Sequence, residues 1–347
     1  MAFQFSGSSG QDLSDVSALL QRAFGTASDA QAVQPALMRW KYLEPRPDWS
    51  GSRGYVLRKD GRLVAHACAY PITLLASGGP VRADHMGDWA ADPADPGAGT
   101  LIWRYLSELT PVMLTVGGSQ PTRQLLPRMR YRQQHTWDLY ARPVRPWQQF
   151  RTDPFQRGWK QPARILRNFA RSLRPLSGHQ GWSVRKVQRF GDAIGPALQA
   201  RAAYPFVRAG RSPELLNYFL ACPAAAFSGY LLMEGQEVQG WFLLSRVAQQ
   251  VRIAEMWVAR PEPAAWRSAY ALAAETAAAD PACCEIAAGS STDLGRQAIA
   301  ANGFQLREAE PVFVYDPQHL LEGVNLQLEM IDGDVAFFHN PAYPYLT

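Results

Sequence analysis

The stretch ADPADPGAGTLIWRYL, residues 91–106, puts two prolines, two aspartates and the pair Gly97 and Gly99 directly before an apolar-periodic run. Prolines interrupt both strand ladders and helix interiors, so a turn is expected here. The run after it has helical spacing and continues to about Leu109. The Gly-Ala-Gly step is therefore a tight way into a helix, or a cradle of main-chain N–H groups that faces an anion at the positive end of the helix dipole. The flanking elements bear on the choice.

Upstream, Phe3 to Phe5 opens a short strand, and Leu13, Val16, Leu19, Leu20 and Phe24 recur at helical spacing up to Gly25. A second helix ends near Trp40–Tyr42. Gly54–Leu57 and Leu63–Ala67 flank Asp60-Gly61, a hairpin signal, and another hairpin turns at Gly78-Gly79 into a strand ending at Ala91. Downstream come a strand at Val112–Val116, a helix near Thr122–Met129 and a strand near His135–Ala141.

The second half repeats this order. Val184–Phe190 reads as a strand, Asp192–Ala203 as a helix, and Pro213–Leu220 as a helix capped by Ser212. Strands over Gly229–Met233 and Val238–Ser245 flank Gly235-Gln236, and a third covers Val251–Ala259. An Ala-rich helix at Glu262–Ala279, a strand at Cys284–Ala288, a helix at Asp293–Ala301 and a strand at Phe304–Tyr315 complete the set. Tyr42 matches Tyr218, Gly54-Tyr55 matches Gly229-Tyr230, and Arg130-Tyr131 matches Gly303-Phe304, offsets of 173 to 176 residues in a chain of 347. An internal duplication is expected.

The totals agree with a folded chain. Its hydrophobic fraction of 47% and charged fraction of 19% are those of a globular protein. Cys68, Cys222, Cys283 and Cys284 show no CxxC spacing, which argues against a disulfide framework or zinc site and for a reducing compartment. The start MAFQFSGSSGQDLSD lacks the features of a signal peptide, and no apolar run is long enough to span a bilayer. The expected location is cytoplasmic, with peripheral contact at the inner membrane as an option. The net charge of +5 is unevenly placed: residues 142–189 hold twelve bases and one acid, leaving 23 bases and 29 acids elsewhere. The expected organisation is a unit at 1–146, a basic connector at 147–182 and a second unit at 183–347.

Strand, two helices, three antiparallel strands, helix, strand, helix, strand: this order resembles the GCN5-related N-acetyltransferase (GNAT) fold, here as a tandem pair over nearly the whole chain. Similar paired folds occur in the FemABX peptidyltransferases and in bacterial double-domain acetyltransferases. The fold class implied is α/β (α+β): two GNAT-like domains, each a mixed, mostly antiparallel sheet flanked by helices.

In that family a Q/R-x-x-G-x-G/A loop holds the pyrophosphate of acetyl-CoA on main-chain N–H groups. The pattern falls on Ala94-Asp95-Pro96-Gly97-Ala98-Gly99. Both glycines match, Ala94 replaces the Gln or Arg, and Asp92 and Asp95 bring negative charge close by. The resemblance assigns Ala91, Gly97, Ala98, Gly99 and Thr100 to acetyl-CoA or another acyl-CoA, with Ser119 lining the cleft. The equivalent Ala259-Arg260-Pro261-Glu262-Pro263-Ala264 has no glycine, so the first half is the expected donor site. Acyl transfer needs an unprotonated amine, and a carboxylate can serve as base. Asp88 matches the family's carboxylate position, and Glu255 stands at the same place in the second half. The family's tyrosine acid is absent: Leu126 and Ile299 occupy its positions.

Asp84, His85 and Asp88 do not suggest a joint metal site, because in a regular strand 84, 86 and 88 share one face while 85 points away. No GxSxG or Walker motif occurs. Trp40, Tyr42, Trp89, Trp103, Trp257 and Trp266 read as core aromatics. In the connector, residues 159–174, Ile165, Leu166, Phe169 and Leu173 share one helical face and Arg164, Arg167, Arg171 and Arg174 another. Such a helix packs its apolar face on the domains, lies on an anionic membrane or attracts RNA; of these, nucleic acid is the least expected. The expected function is acyl-CoA-dependent N-acylation of a small-molecule amine, by resemblance an amino sugar or cell-envelope polysaccharide precursor, with no metal. The alternatives are a FemABX-like aminoacyltransferase using charged tRNA and a non-catalytic GNAT-fold interaction module.

Overall fold

The sequence patterns become two runs of elements with one plan. The computed structural model describes residues 2–153, 161–179, 181–199, 204–338, 340 and 343–347. The first run is β1 (Phe3–Gly7), α1 (Leu13–Phe24), α2 (Pro35–Tyr42), β2 (Gly54–Lys59), β3 (Arg62–Ala76), β4 (Gly79–Ala91), α3 (Ala98–Leu106), β5 (Val112–Val116), α4 (Gln120–Leu125) and β6 (Arg132–Pro143). Two connector helices follow, α5 (Pro146–Thr152) and α6 (Gln161–Ser172). The second run is β7 (Trp182–Val187), α7 (Gly195–Gln199), β8 (Val207–Arg208), α8 (Pro213–Leu220), β9 (Ala226–Glu234), β10 (Glu237–Val247), β11 (Gln250–Val258), α9 (Pro263–Ala278), β12 (Glu285–Ser290), α10 (Asp293–Ala301) and β13 (Gln305–Tyr315), with a short β14 (Leu326–Gln327).

Local chemistry accounts for the boundaries. In α1 the periodic residues Leu13, Val16, Leu19 and Leu20 are buried, and Gly25 ends the helix in the left-handed region at φ 63°. Ser212 accepts the Leu215 N–H at the start of α8, a cap worth about 1 kcal/mol. The helix expected over 192–203 is instead a 3-10 turn, Asp192–Ile194, running into α7; residues 200–203 of that expectation lie outside the described ones, as do Trp159 and Lys160.

Twelve strands form one sheet in the order β1-β2-β3-β4-β5-β13-β6-β12-β11-β10-β9-β7. This order is a palindrome once β1 is matched with β7, β2 with β9 and so on to β6 with β13. The last strands are exchanged: β5 pairs with β13, β12 pairs with β6, and β6 and β13 pair with each other at the centre. The strands on either side of that centre keep the parallel step of each half, β4 to β5 and β11 to β12. One apolar core runs through both halves, from Leu37, Trp40 and Leu114 to Trp241, Trp257 and Trp266. Trp40, Tyr42, Trp257 and Trp266 are buried as expected, whereas Trp89 and Trp103 are half-buried.

The chain beyond Tyr315, in which the sequence pattern marks no element, crosses the sheet. Trp137 donates its indole N–H to Leu328 O, Ser291 donates to Leu326 O, and Phe337 packs edge-on against Trp40. The segment thus covers parts of both halves.

Candidate active site

In each half the fourth strand leaves the fifth. β4 and β5 pair only from Ala83–Val112 to His85–Leu114, although β4 stays paired with β3 as far as Ala91. β11 and β12 likewise pair only from Gln250 to Ile253. Each fourth strand also carries a bulge just past the parting. In β4 two residues, Asp88 and Trp89, stand opposite the single Ala67; in β11 the extra residue is Ala254. Bulges re-aim side chains, and this one does so at Asp88, which sits at φ 47°. Aspartate tolerates this left-handed conformation better than most residues, yet holding it requires support from the surroundings.

The bulge corrects the expectation drawn from strict alternation. Met86 points into the core beneath α3, while Asp88 turns to the α2 side. There it accepts the Tyr42 hydroxyl at 2.6 Å and lies 2.5 Å from Lys41 Nζ. Burial opposes the Asp88 charge, but the Lys41 ammonium and Tyr42 hydroxyl outweigh it and hold the carboxyl below its usual range. Burial likewise opposes the Lys41 charge, and Asp88 more than compensates, raising its pKa.

The second half has a matching constellation. Glu255 accepts two N–H groups of Arg211, at 3.1 and 2.9 Å, and Arg211 reaches Asp332 at 2.8 Å. Burial raises the Glu255 carboxyl against the pull of Arg211. Glu329, buried nearby, is pushed well above its usual value by desolvation and then by the Glu255 charge. The segment at 329–334 serves both halves, since Asp334 lies 3.9 Å from Lys41. Asp88 and Glu255 are thus equivalent in place and in having a cation partner, and they stand in separate clusters.

The turn quoted at the outset balances its own charge. Asp95 is bound by Lys59 Nζ at 2.7 Å and by Arg62, and Arg62 also reaches Asp92 at 2.8 Å. These contacts hold Asp95 below the usual carboxylate range, Lys59 first. Two amides are used internally: Asp92 Oδ1 accepts the Ala94 N–H at 2.9 Å, and Asp95 O accepts the Ala98 N–H at 3.1 Å. Among the described residues nothing accepts the Gly97 N–H. Gly97 adopts φ 89° with open space where a Cβ would stand. Gly99 has a packing role, since a Cβ there would lie 3.4 Å from that of Ala91, and its carbonyl accepts the Trp89 indole N–H at 2.9 Å. Ala98 is buried and Thr100 exposed. Ser119 caps α4, its hydroxyl 2.9 Å from that of Thr122.

His85, set aside above as a metal ligand, stands beside Asp332 and the end of β5. Its ring fills the parting of β4 and β5, with Nε2 3.4 Å from the Val116 N–H and Nδ1 2.8 Å from Asp332 O. That network assigns the proton to Nδ1 and leaves Nε2 as acceptor. A narrow cavity of about 20 Å³ adjoins it, lined by Ile72, Leu114, Trp137, Glu329 and Gly333. The only signal in the sequence is a histidine three residues before Asp88. Leu126 and Ile299 are fully buried. All four cysteines are free and buried, and among the described residues no three His, Cys, Asp or Glu side chains converge as for a metal ion.

No protein-family model matches the chain, and no curated protein does. Solved structures do. A GCN5-related N-acetyltransferase from Anabaena variabilis superposes with a TM-score of 0.60 and 12% identity, over 91% of this chain and 73% of the other. N-myristoyltransferase from Saccharomyces cerevisiae, with bound myristoyl-CoA, gives 0.60 and 14%, over 90% and 82%. A GCN5-related N-acetyltransferase from Kribbella flavida gives 0.54 and 14%, over 90% and 71%. At such identities the likeness is one of architecture. In fold, this chain is similar to GCN5-related N-acetyltransferases, with two such units sharing one sheet.

Proposed function

We propose that the chain is an acyl-CoA-dependent N-acyltransferase for a small-molecule amine, with the thioester donor, acetyl-CoA or another acyl-CoA, held by the first half. The observation that carries this reading is the parted β4. Beyond His85 its edge toward β5 lacks a strand partner, and its line leads to the open Gly97 N–H at the start of α3. A donor arm containing amide groups suits an unpaired strand edge. A diphosphate suits a helix N-terminus with an uncapped amide.

In the reaction the amine nitrogen attacks the thioester carbonyl, the C–N bond forms, the C–S bond breaks, and the amine proton must leave. Asp88 is already ion-paired and held below its usual pKa, so its role is to fix an ammonium or a hydroxyl of the acceptor. His85 Nε2, with the opposite nitrogen tied to Asp332 O, is the group proposed to take the proton, giving up in exchange the Val116 N–H that it accepts at 3.4 Å. The leaving thiolate draws its proton from solvent, since apolar side chains occupy the positions of the family's tyrosine. An amino sugar or envelope-polysaccharide precursor remains the proposed acceptor class. The FemABX-like reading is less favoured, because Arg164 and Arg142 of the basic region turn inward to main-chain carbonyls.

Calorimetric titration with acetyl-CoA and longer acyl-CoAs tests the reading. Saturable binding that is lost in Gly97→Glu is expected. If no acyl-CoA binds the intact protein, the non-catalytic module takes its place.

A further inference from the structure

Helix α6 is turned inside out. Its inner face is polar: Asn168 donates to Gln149 Oε1 at 3.1 Å, Arg164 reaches Thr347 O and lies 3.6 Å from Asp153, and Arg171 is half-buried. Of the apolar residues, Ile165 is half-buried beside Gln149 and Phe150, and the other three face solvent, with Leu166 73% exposed, Leu173 81% and Phe169 41%. They lie at i, i+3 and i+7, one continuous stripe, which Pro162 and Ala170, both exposed, extend. On α5, which packs against α6, Trp147 is 57% exposed and stacks on Phe150. The expectation that this apolar face would pack inward is therefore met by Ile165 and not by Leu166, Phe169 or Leu173.

Charge identifies what covers it. Arg167 and Arg174, each one residue on from a stripe leucine, are exposed, as is Arg151 on α5. The single acid of residues 142–189, Asp153, is buried beside Arg164. Two copies placed face to face would bring like charges together. Nucleic acid would match the arginines and leave the leucines and tryptophan in water. An anionic bilayer matches both, because acyl chains accept the aliphatic side chains, the headgroup zone accepts tryptophan, and acidic lipids attract arginine.

We infer that the α5–α6 face, through Leu166, Phe169, Leu173 and Trp147 together with Arg151, Arg167 and Arg174, is a docking surface for an anionic lipid membrane. It lies in the connector and does not depend on the transferase reading.

Co-sedimentation of the full chain with vesicles tests it. Binding to phosphatidylcholine vesicles containing phosphatidylglycerol is expected to exceed binding to phosphatidylcholine alone, and to fall as salt rises. Leu166→Gln/Leu173→Gln should weaken it by roughly tenfold or more, as should Arg167→Glu/Arg174→Glu. Because these side chains are exposed, the thermal midpoint should stay unchanged, and a variant that unfolds is replaced by Leu173→Gln alone. Equal binding by wild type and the leucine variant, or no binding to either vesicle, overturns the inference. So does a dimer in sedimentation velocity that the leucine variant dissolves, or retention on RNA without retention on vesicles.

Discussion

Lys41 Nζ and Asp88 Oδ2 lie 2.5 Å apart with their side chains 2% and 10% exposed. Removing one partner of a buried pair leaves an uncompensated charge and costs about 3–5 kcal/mol, while removing both costs much less. Asp88→Asn should therefore lower stability sharply, and Lys41→Met combined with Asp88→Asn should restore more than half of the loss. Urea denaturation in a double-mutant cycle checks this; simple additivity would show that the two groups are not coupled.

Asp84 gives the pH dependence a sign. Burial raises its pKa from 3.8 to about 7, against a hydrogen bond from Thr110. The folded protein keeps this proton at pH values where the unfolded chain has lost it. Stability from Asp84 is thus present at low pH and lost as pH rises from about 4 to about 7, at up to about 1.4 kcal/mol per unit. His66 and His135, both lowered to about 4 by burial, act oppositely and cost stability as pH falls below the ordinary histidine value of 6.5. Comparing Asp84→Asn with wild type isolates the aspartate: Glu255 and Glu329 act in both proteins, so the stability difference between the two should change by Asp84's share between pH 5 and 7.

Gly97 separates backbone strain from charge. At φ 89° any side chain is strained, by roughly 1–2 kcal/mol. Asparagine tolerates the left-handed region and brings no charge, so Gly97→Asn should keep acyl-CoA affinity within a few-fold. Gly97→Glu places a carboxylate at the helix N-terminus and should abolish binding. Equal losses in both variants would point to a folding defect and away from a diphosphate site.

The exchanged strands bear on folding units. Residues 1–153 alone leave β5 without β13 and expose β6 on both edges, so this fragment should be insoluble or aggregate. Co-expression with residues 161–347 should recover a folded complex, seen as co-purification and a single melting transition. A soluble, cooperatively melting fragment of 1–153 would contradict this.

Much of the fold is visible in the order of residues because each element carries its own period. Leu13, Val16, Leu19 and Leu20 mark a helix, Asp60-Gly61 marks a hairpin, and the match of Tyr42 with Tyr218 marks the repeat. The exchange of β6 and β13 is not visible, since a strand's alternation is the same whichever strand lies beside it. Asp88 and Glu255 could be placed on equivalent strands. Their cation partners could not, because Lys41 and Arg211 come from other elements, and the bulge that turns Asp88 depends on register with β3. His85 was weighed only as a metal ligand for the same reason: its meaning comes from Asp332, 247 residues later. The face that α6 presents inward was misread because Asn168 and Arg164 find partners in Gln149 and Thr347, which helical periodicity does not reveal.

Two units of one plan could in principle each stand alone. Here the reciprocal loan of β6 and β13 removes that freedom. The half without a glycine loop must persist as scaffold, since its final strand completes the sheet of its twin. Deletion of its frame would leave β5 and β6 without their partners.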